Sequence, residues 1–351
     1  MVVFSAWKWG PGCLLICSPL LPWACCPAEV YELTTSHPTV TLPGDEAPHC
    51  YGTEWWYYTG KLTDADGKSY GIETVIFHSA DTRYVFGHEG WFAHLALLEA
   101  TSKAFTYYQD RWLEPEAGSS ITDAGVQLNN SLIQMTVDDG QDHVQAASPD
   151  GHFALVLDLQ DERGAVLHGG GYITYGPNLK SFYYSRPRML ATGTLTIDGQ
   201  QRPVTGQLWF DRQWGRSIVN LRTAWDWFSL RLNDGSAIML FNFRGLGSTR
   251  AMGTYVPPTG DAVTLTANDF TLTPTASWTS PHTGRTYPVA WAIAIPSQEL
   301  LITVTAVAED QEFDARASTL NIYWEGLCDV AGTRDGQPIT GDAYIELLNE
   351  P

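Results

Sequence analysis

The chain has 351 residues, 44% of them apolar and 17% charged, enough to bury a large core and too apolar for intrinsic disorder. At roughly 100 to 200 residues per domain, that length suggests two domains. The net charge of -19 excludes partners that are approached by neutralising phosphates, a task for clustered Lys and Arg, so no nucleic-acid partner is expected.

The first 28 residues differ from the rest. Lys8 precedes an apolar run, Cys13 to Cys26, which Pro19 and Pro22 interrupt and which is too short to span a bilayer. Its length suits the hydrophobic part of a signal peptide, so residues 1–28 read as a removable or anchoring segment. The mature protein is then secreted, periplasmic or tethered to a membrane through this segment. A misplaced start codon would instead leave it cytoplasmic. Four of the six cysteines fall here, leaving Cys50 and Cys328 in the body, where one disulfide between them would suit an oxidising compartment.

Beyond residue 40 the hydrophobic period is two. TEWWYYTG (53–60), KSYGIETVIF (68–77), GHFALVLDLQ (151–160), GTLTIDG (193–199), FSLRLNDGSAIMLFNF (228–243), YPVAWAIAIP (287–296), LLITVTAVA (300–308) and GDAYIELL (341–348) are short strand-like runs. Asp-Gly pairs punctuate them at Asp66, Asp139, Asp150, Asp198, Asp234 and Asp335, the strongest short-range hairpin signal. Leu95 to Ala104 resembles a helix in its apolar content but fits a buried strand equally well. The prediction is an all-β chain.

An internal repeat organises it. The stretch from Glu54 to Phe77 aligns with Ala224 to Phe243, each opening on an aromatic cluster, turning at Asp-Gly and ending on an apolar strand. GTLTIDGQQRPVTGQLWFD from Gly193 likewise resembles GTRDGQPITGDAYIEL from Gly332. Opening and closing motifs recur in the same order, so the expectation is two related antiparallel β-barrel domains, residues 40–215 and 220–351, because sheets of this many strands close or pack to remove their edges.

The ordered set TEWWYYTG, YYSRPR (183–188), GTLTIDG with PVTGQLWFD (193–211), WDWFSLRL (225–232), DFTLTPTASWTSPHTGRTYPVAWAIAIP (269–296) and YWEG (323–326) resembles the lipocalin-like carotenoid 1,2-hydratase/AttH-like family from about residue 40 to the C-terminus. The resemblance implies two tandem lipocalin-like barrels with a hydrophobic cavity in or between them. Some members hydrate a terminal double bond of acyclic carotenoids, related lipocalin-like proteins promote intramolecular cyclisations including [4+2] cycloadditions, and many relatives are called secreted hydrolases. Fold alone does not choose among these. No GxSxG elbow supports the word hydrolase. Where the hydratase-type pattern has Asp-His-Glu-Trp, this chain has Asp211-Arg212-Gln213-Trp214. Arg cannot relay a proton as a neutral imidazole does.

The candidate catalytic residues are Asp226, Arg212 and Tyr184. Asp226, between two Trp, either donates a proton to a polyene or hydrogen-bonds its carbonyl, or else caps a neighbouring strand or pairs with Arg; in a strand the flanking rings point to the opposite face from it. Arg212 either clamps a substrate oxygen or pairs with Asp211 or Asp226. Tyr184 offers a neutral donor. Candidate substrate-binding residues are Glu54, Trp56, Tyr58, Tyr183, Trp214, Trp225, Trp227 and Phe228, with Glu54 favoured as a hydrogen-bond anchor. His78, His88 and His94 have no metal-binding spacing, and neither metal nor cofactor is expected. Three readings remain open: an enzyme that folds a hydrophobic polyene, polyketide or terpenoid into a cyclisable conformer, a hydratase adding water to an alkene, and a non-catalytic lipid or pigment carrier.

Overall fold

The computed structural model describes residues 39–82, 87–113, 118–122, 125–176, 179–215, 223–245 and 248–349, all within one compact unit that runs from Thr35 to Pro351. The signal-like segment 1–28, and with it the possible membrane attachment, lies outside the described residues.

The first sheet comprises β1 (Thr53–Asp64), β2 (Ser69–Ser79), β3 (Gly90–Glu99), β4 (Ala104–Leu113), β5 (Gly118–Thr122), β6 (Gly125–Asn129), β7 (Ile133–Val137), β8 (Gln141–Ala147), β9 (Phe153–Asp161), β10 (Val166–Gly176), β11 (Leu179–Ile197) and β12 (Gln200–Gly215). The second comprises β13 (Thr223–Leu232), β14 (Ala237–Gly245), β15 (Ser248–Val256), β16 (Val263–Thr266), β17 (Thr271–Thr279), β18 (Thr286–Ile295), β19 (Leu300–Ala306), β20 (Glu312–Asp314), β21 (Ile322–Arg334) and β22 (Gln337–Leu348). All pairings are antiparallel, and the helical turns among the described residues are three short 3-10 turns. The run from Leu95 enters as β3, a strand.

The repeat is visible in the topology. In the first sheet the order is β4-β3-β2-β1-β12-β11-β9-β8-β7-β6-β5, and in the second β16-β15-β14-β13-β22-β21-β19-β18-β17. In both, the opening strand is zipped to the closing one. Each sheet curls around its own interior as a lipocalin-like half-barrel. The Asp-Gly hairpins at Asp139, Asp198 and Asp335 have positive φ at both residues, as a type I′ turn requires. The Pro-(Val/Ile)-Thr-Gly motifs mark the zipper itself. A Cβ on Gly206 would stand 2.1 Å from the Lys61 carbonyl oxygen, and one on Gly341 2.1 Å from that of Arg231. Only glycine lets the closing strand approach the opening strand so closely.

Side chains alternate across each strand, so one face fills an interior and the other faces outward. Trp56, Tyr58 and Leu62 of β1 and Leu208, Phe210 and Trp214 of β12 fill the first interior. Phe228, Leu230, Ile345 and Leu347 fill the second. The outward faces are apolar too. Tyr57, Val75, Tyr183 and Trp209 of the first sheet pack with Trp227, Met239, Phe241 and Phe243 of the second. This seam joins the two halves. Cys328 is a free thiol buried in the second interior, so the bridge to Cys50 that the sequence left open is not formed. Its strand position turns it inward, beneath the second sheet.

A candidate active site between the two sheets

The seam is not completely filled. A cavity of about 370 Å³ opens along it, in the range that holds a small ligand. Its walls are mostly aromatic: Trp55, Phe77, Trp225, Trp227, Phe241 and Phe243. The lining also includes exposed Arg111 and Leu320, the latter 66% exposed. Carboxyl groups from four strands reach this apolar space: Glu73 on β2, Asp211 on β12, Glu325 on β21 and Glu346 on β22.

Their placement follows from register. Glu325 lies directly opposite Glu346 across the β21/β22 ladder, and Tyr57 opposite Asp211 across β1/β12, so each pair shares the outward face. Two Tyr-Glu hydrogen bonds cross the seam in opposite senses. Tyr57 of the first sheet donates to Glu325 of the second, while Tyr323 of the second donates to Glu73 of the first at 3.0 Å. His94 Nδ1 is 2.7 Å from the Tyr323 hydroxyl and its Nε2 is 2.9 Å from Ser318 Oγ. Asp211 accepts from Tyr183 at 2.8 Å, Ser185 at 2.7 Å, Trp209 at 3.3 Å and Trp55 at 3.4 Å. Tyr183 in turn accepts from Trp227 Nε1 at 2.8 Å, and Glu346 from Trp225 Nε1 at 3.0 Å.

Burial sets the protonation of these acids. Loss of water raises Glu73 to about 8, with the Glu346 charge adding to the effect against the Tyr323 bond. Glu325 is raised well above the usual carboxylate range by burial and by the charges of Glu73 and Glu346. Burial lifts Glu346 to about 7 and Asp211 to about 6, the latter restrained by its hydrogen bonds. Glu346 keeps some accessible surface although it lies deep in the protein, because it faces the cavity. Burial drives His94 down to about 3, so it is a neutral imidazole. The chamber thus presents carboxylic acids that hold their protons near neutral pH, the property of a proton donor in an apolar site.

Among the residues singled out from sequence, Tyr183, Trp225 and Trp227 line this cavity. The others face the two interiors. Glu54 and Arg212 form a buried ion pair at 2.6 Å inside the first sheet, and Glu54 also accepts from the His49 backbone at 2.8 Å, His49 Nδ1 at 2.9 Å and His78 Nδ1 at 2.6 Å. Burial works to raise Glu54, but the Arg212 charge and the two His bonds outweigh it and hold the carboxyl well below its usual range. Against its burial, the hydrogen bonds to Glu54 and, at 2.8 Å, to Glu89 raise His78 to about 9. Arg212 does not pair with Asp211 or Asp226, because residues 211 and 212 point to opposite faces of β12. Its guanidinium lies 3.9 Å from the Trp56 ring centroid and 5.0 Å from that of Trp214.

Tyr58 donates to Asp142 at 2.8 Å, and Tyr184 packs against Phe210 and Trp214, all within that first interior. Asp226 turns away from its flanking tryptophans, as strand alternation requires, and is held by Arg244 at 2.5 and 3.0 Å and by Asn242 at 3.0 Å. Phe228 is in the second interior, edge-on to Trp291. None of these lines the cavity. Sequence reasoning missed Glu73, Glu325 and Glu346, yet each left a signal: a lone acid inside an apolar strand, in GIETVIF, YWEG and AYIELL.

Residues 33–349 match the family model described as AttH-like. The chain belongs to the AttH-like family. Among solved structures, a family protein of Nitrosomonas europaea assigned to AttH superimposes with a TM-score of 0.80 at 29% identity, over 90% of this chain and 99% of that one. Kievitone hydratase from Nectria haematococca shares the fold with a TM-score of 0.69 at 19% identity, over 90% and 94% of the two chains. Kievitone hydratase of Fusarium solani subsp. phaseoli is 22% identical over 87% of this chain and 85% of its own. Dehydratase asqC of Emericella nidulans is 23% identical over 58% of this chain and 60% of its own, so the chain spans about three fifths of that relative.

Proposed function

We propose that this family member is a hydro-lyase: it adds water to, or removes it from, a hydrophobic small molecule held in the seam cavity. The observation that carries the reading is the set of buried carboxylic acids that keep their protons near pH 7 inside an aromatic chamber. Relatives named as a hydratase and a dehydratase support the same class.

Glu346 is the proton donor in this scheme. It titrates nearest the working pH, where a general acid combines the right protonation state with driving force, and it faces the cavity. In the hydration direction its proton adds to the less substituted alkene carbon, leaving a carbocation and a carboxylate. Water adds to the cation through oxygen, and the proton it loses returns to Glu346. Dehydration runs the same steps backwards. Trp225, which donates to Glu346, and Tyr183, held between Asp211 and Trp227, orient the site. If an internal nucleophile captures the cation instead of water, the product is a ring, so cyclisation shares the first step.

The test is incubation with lipophilic trisubstituted alkenes and the matching tertiary alcohols in heavy-oxygen water. Hydration yields an alcohol carrying the label, and Glu346→Gln abolishes it while the fold, read by circular dichroism, persists. Unlabelled ring products would establish cyclisation in its place. Tight binding with every compound returned unchanged would make the protein a carrier and overturn the proposal.

A further inference from the structure

Two buried histidines are each separated from an acid of the chamber by a single hydroxyl. His94 of β3 lies between Tyr323 and Ser318, with Nδ1 2.7 Å from the Tyr323 hydroxyl and Nε2 2.9 Å from Ser318 Oγ. His168 of β10 lies between Thr254 and Ser185, with Nδ1 2.8 Å from the Thr254 hydroxyl and Nε2 2.8 Å from Ser185 Oγ. Burial drives both down to about 3, so each is a neutral ring with one N–H and one lone pair. Which nitrogen carries the hydrogen follows from what its partners can do.

For His94 the order is fixed from the Gln109 end. Gln109 Nε2 donates to the Asp314 carbonyl, which only accepts, so Gln109 turns its oxygen to Ser318 and takes the Ser318 proton at 2.8 Å. Thr319, the second hydroxyl near Nε2 at 3.4 Å, gives its proton to Asn321 Oδ1 at 2.6 Å. Neither has one left for the ring, so Nε2 carries the hydrogen and Nδ1 the lone pair. Tyr323 then donates to Nδ1, because two bare lone pairs 2.7 Å apart repel. With the Tyr323 proton so used, its 3.0 Å contact with Glu73 carries the acid's own proton, and takes the Tyr323 proton only when Glu73 ionises.

For His168 the order is fixed from the acid and runs the opposite way. Trp227 Nε1, a donor only, meets the Tyr183 oxygen at 2.8 Å, and the Tyr183 proton goes to Asp211 Oδ1 at 2.8 Å. The Trp209 indole gives the same oxygen a second hydrogen at 3.3 Å, and Trp55 gives one to Oδ2 at 3.4 Å. An oxygen that already takes two hydrogens holds no proton of its own, so Ser185 also donates to Oδ1, at 2.7 Å. The Ser185 oxygen therefore accepts from His168 Nε2, and His168 Nδ1 accepts from Thr254. Both rings have the hydrogen on Nε2, but the acid lies on the Nδ1 side of one and on the Nε2 side of the other.

We infer that His94 and His168 are positioning residues that give two acids of one chamber opposite protonation: His94, through Tyr323, keeps a proton on Glu73, and His168, through Ser185, keeps Asp211 ionised. Glu73, raised by burial to about 8, and Asp211, raised by burial only to about 6, agree with this order. Among the described residues the other titratable groups facing them are Tyr57, Glu325 and Glu346 at Glu73, and Tyr175 and Glu346 at Asp211, with Arg111 exposed in the same lining. The purpose of the arrangement, though not the assignment, rests on the hydro-lyase reading. Burial and then the Asp211 charge raise Glu346, the proposed donor, while a neutral Glu73 adds no further charge where Glu346 becomes a carboxylate.

The experiment uses the full chain with histidine labelled by heavy nitrogen, whose magnetic resonance reads the tautomers. Each ring is assigned by its Asn variant or, should that variant not fold, as a ring still neutral at about pH 5. Both are expected to carry the hydrogen on Nε2; a hydrogen on Nδ1 of either overturns the inference. The infrared carboxyl bands lost in Glu73→Gln and in Asp211→Asn report the two acids. At about pH 7 the first should be a protonated acid and the second a carboxylate, and two alike would overturn it. His94→Leu removes the acceptor for Tyr323 and should lower the Glu73 titration by about one pH unit, tenfold in acidity, while His94→Asn, whose Oδ1 stands in for Nδ1, restores it. A structural role alone predicts no shift in either variant, and no shift with leucine overturns the inference. None of these readouts needs turnover, so if they hold while no alkene is hydrated, the hydro-lyase reading falls and this one stands.

Discussion

Replacing Arg212 with leucine removes the one guanidinium that, among the described residues, pairs with Glu54, and tests whether this pair, rather than apolar packing alone, stabilises the first interior. Arg212 is fully buried and donates to Glu54 at 2.6 Å and to the Ala47 carbonyl at 3.0 Å. Leucine leaves the Glu54 charge beneath the sheet with only His49 and His78 for company. Breaking a buried pair from one side costs about 3–5 kcal/mol, and the lost stacking over Trp56 and Trp214 adds up to about 2 kcal/mol. The charged form of His78, raised to about 9, offsets part of this, so the lower half of that range is expected. At about 2–4 °C per kcal/mol for a chain of this size, the midpoint should fall by roughly 10 °C. Urea denaturation followed by tryptophan fluorescence measures the cost. Glu54→Gln and the double variant complete the cycle, and the double variant should recover about 2 kcal/mol of the summed single losses. A cost for Arg212→Leu under about 1 kcal/mol, or strict additivity, would refute the reasoning.

Stability should fall as pH rises from 6.5 to 9. Glu73 and Glu346 rise from 4.5 to about 8 and about 7 on folding, and His78 from 6.5 to about 9, so in this window the folded chain holds protons that the unfolded chain has released. Their contribution is complete below the unfolded values and is lost through the folded ones, on the order of a few kcal/mol in total; thermal midpoints that stay flat or climb across this window would contradict it. Gly206→Ala and Gly341→Ala, each driving a methyl group to within 2.1 Å of a carbonyl oxygen, should each cost at least the upper part of the roughly 1–3 kcal/mol of overpacking, read from urea midpoints. Gly44→Ala, with nothing within 4 Å, is the control and should change stability by less than about 0.5 kcal/mol. The Cys328 thiol, buried and pushed well up, should resist alkylation in the native protein and react on unfolding, as measured on the peptide that carries it.

The architecture was legible because its signals are local. Asp-Gly turns, period-two strands and the doubled Pro-(Val/Ile)-Thr-Gly motif each report on a few neighbouring residues, and each has its counterpart in the hairpins and in the zipper at Gly206 and Gly341. The site was harder to read because it depends on which face of a strand looks where. In TEWWYYTG both faces are aromatic, so sequence alone offered Trp56 and Tyr58 as readily as Trp55 and Tyr57, and only the pairing of β1 with β12 turns the second pair to the seam. WDWF posed the same problem: its tryptophans reach the cavity and its aspartate does not. The acids were overlooked because their neighbours come from distant strands. Glu73 and the Tyr323 hydroxyl it accepts from are 250 positions apart in the chain.

The chamber is walled by the outward faces of two sheets, while the packing that makes each sheet stand comes from the inward faces. The filling of each interior and the shape of the chamber are thereby assigned to different side chains on the same strands. Exchanges at Phe241 or Phe243 reshape the chamber and the seam packing against Tyr175 while leaving both sheet interiors unchanged.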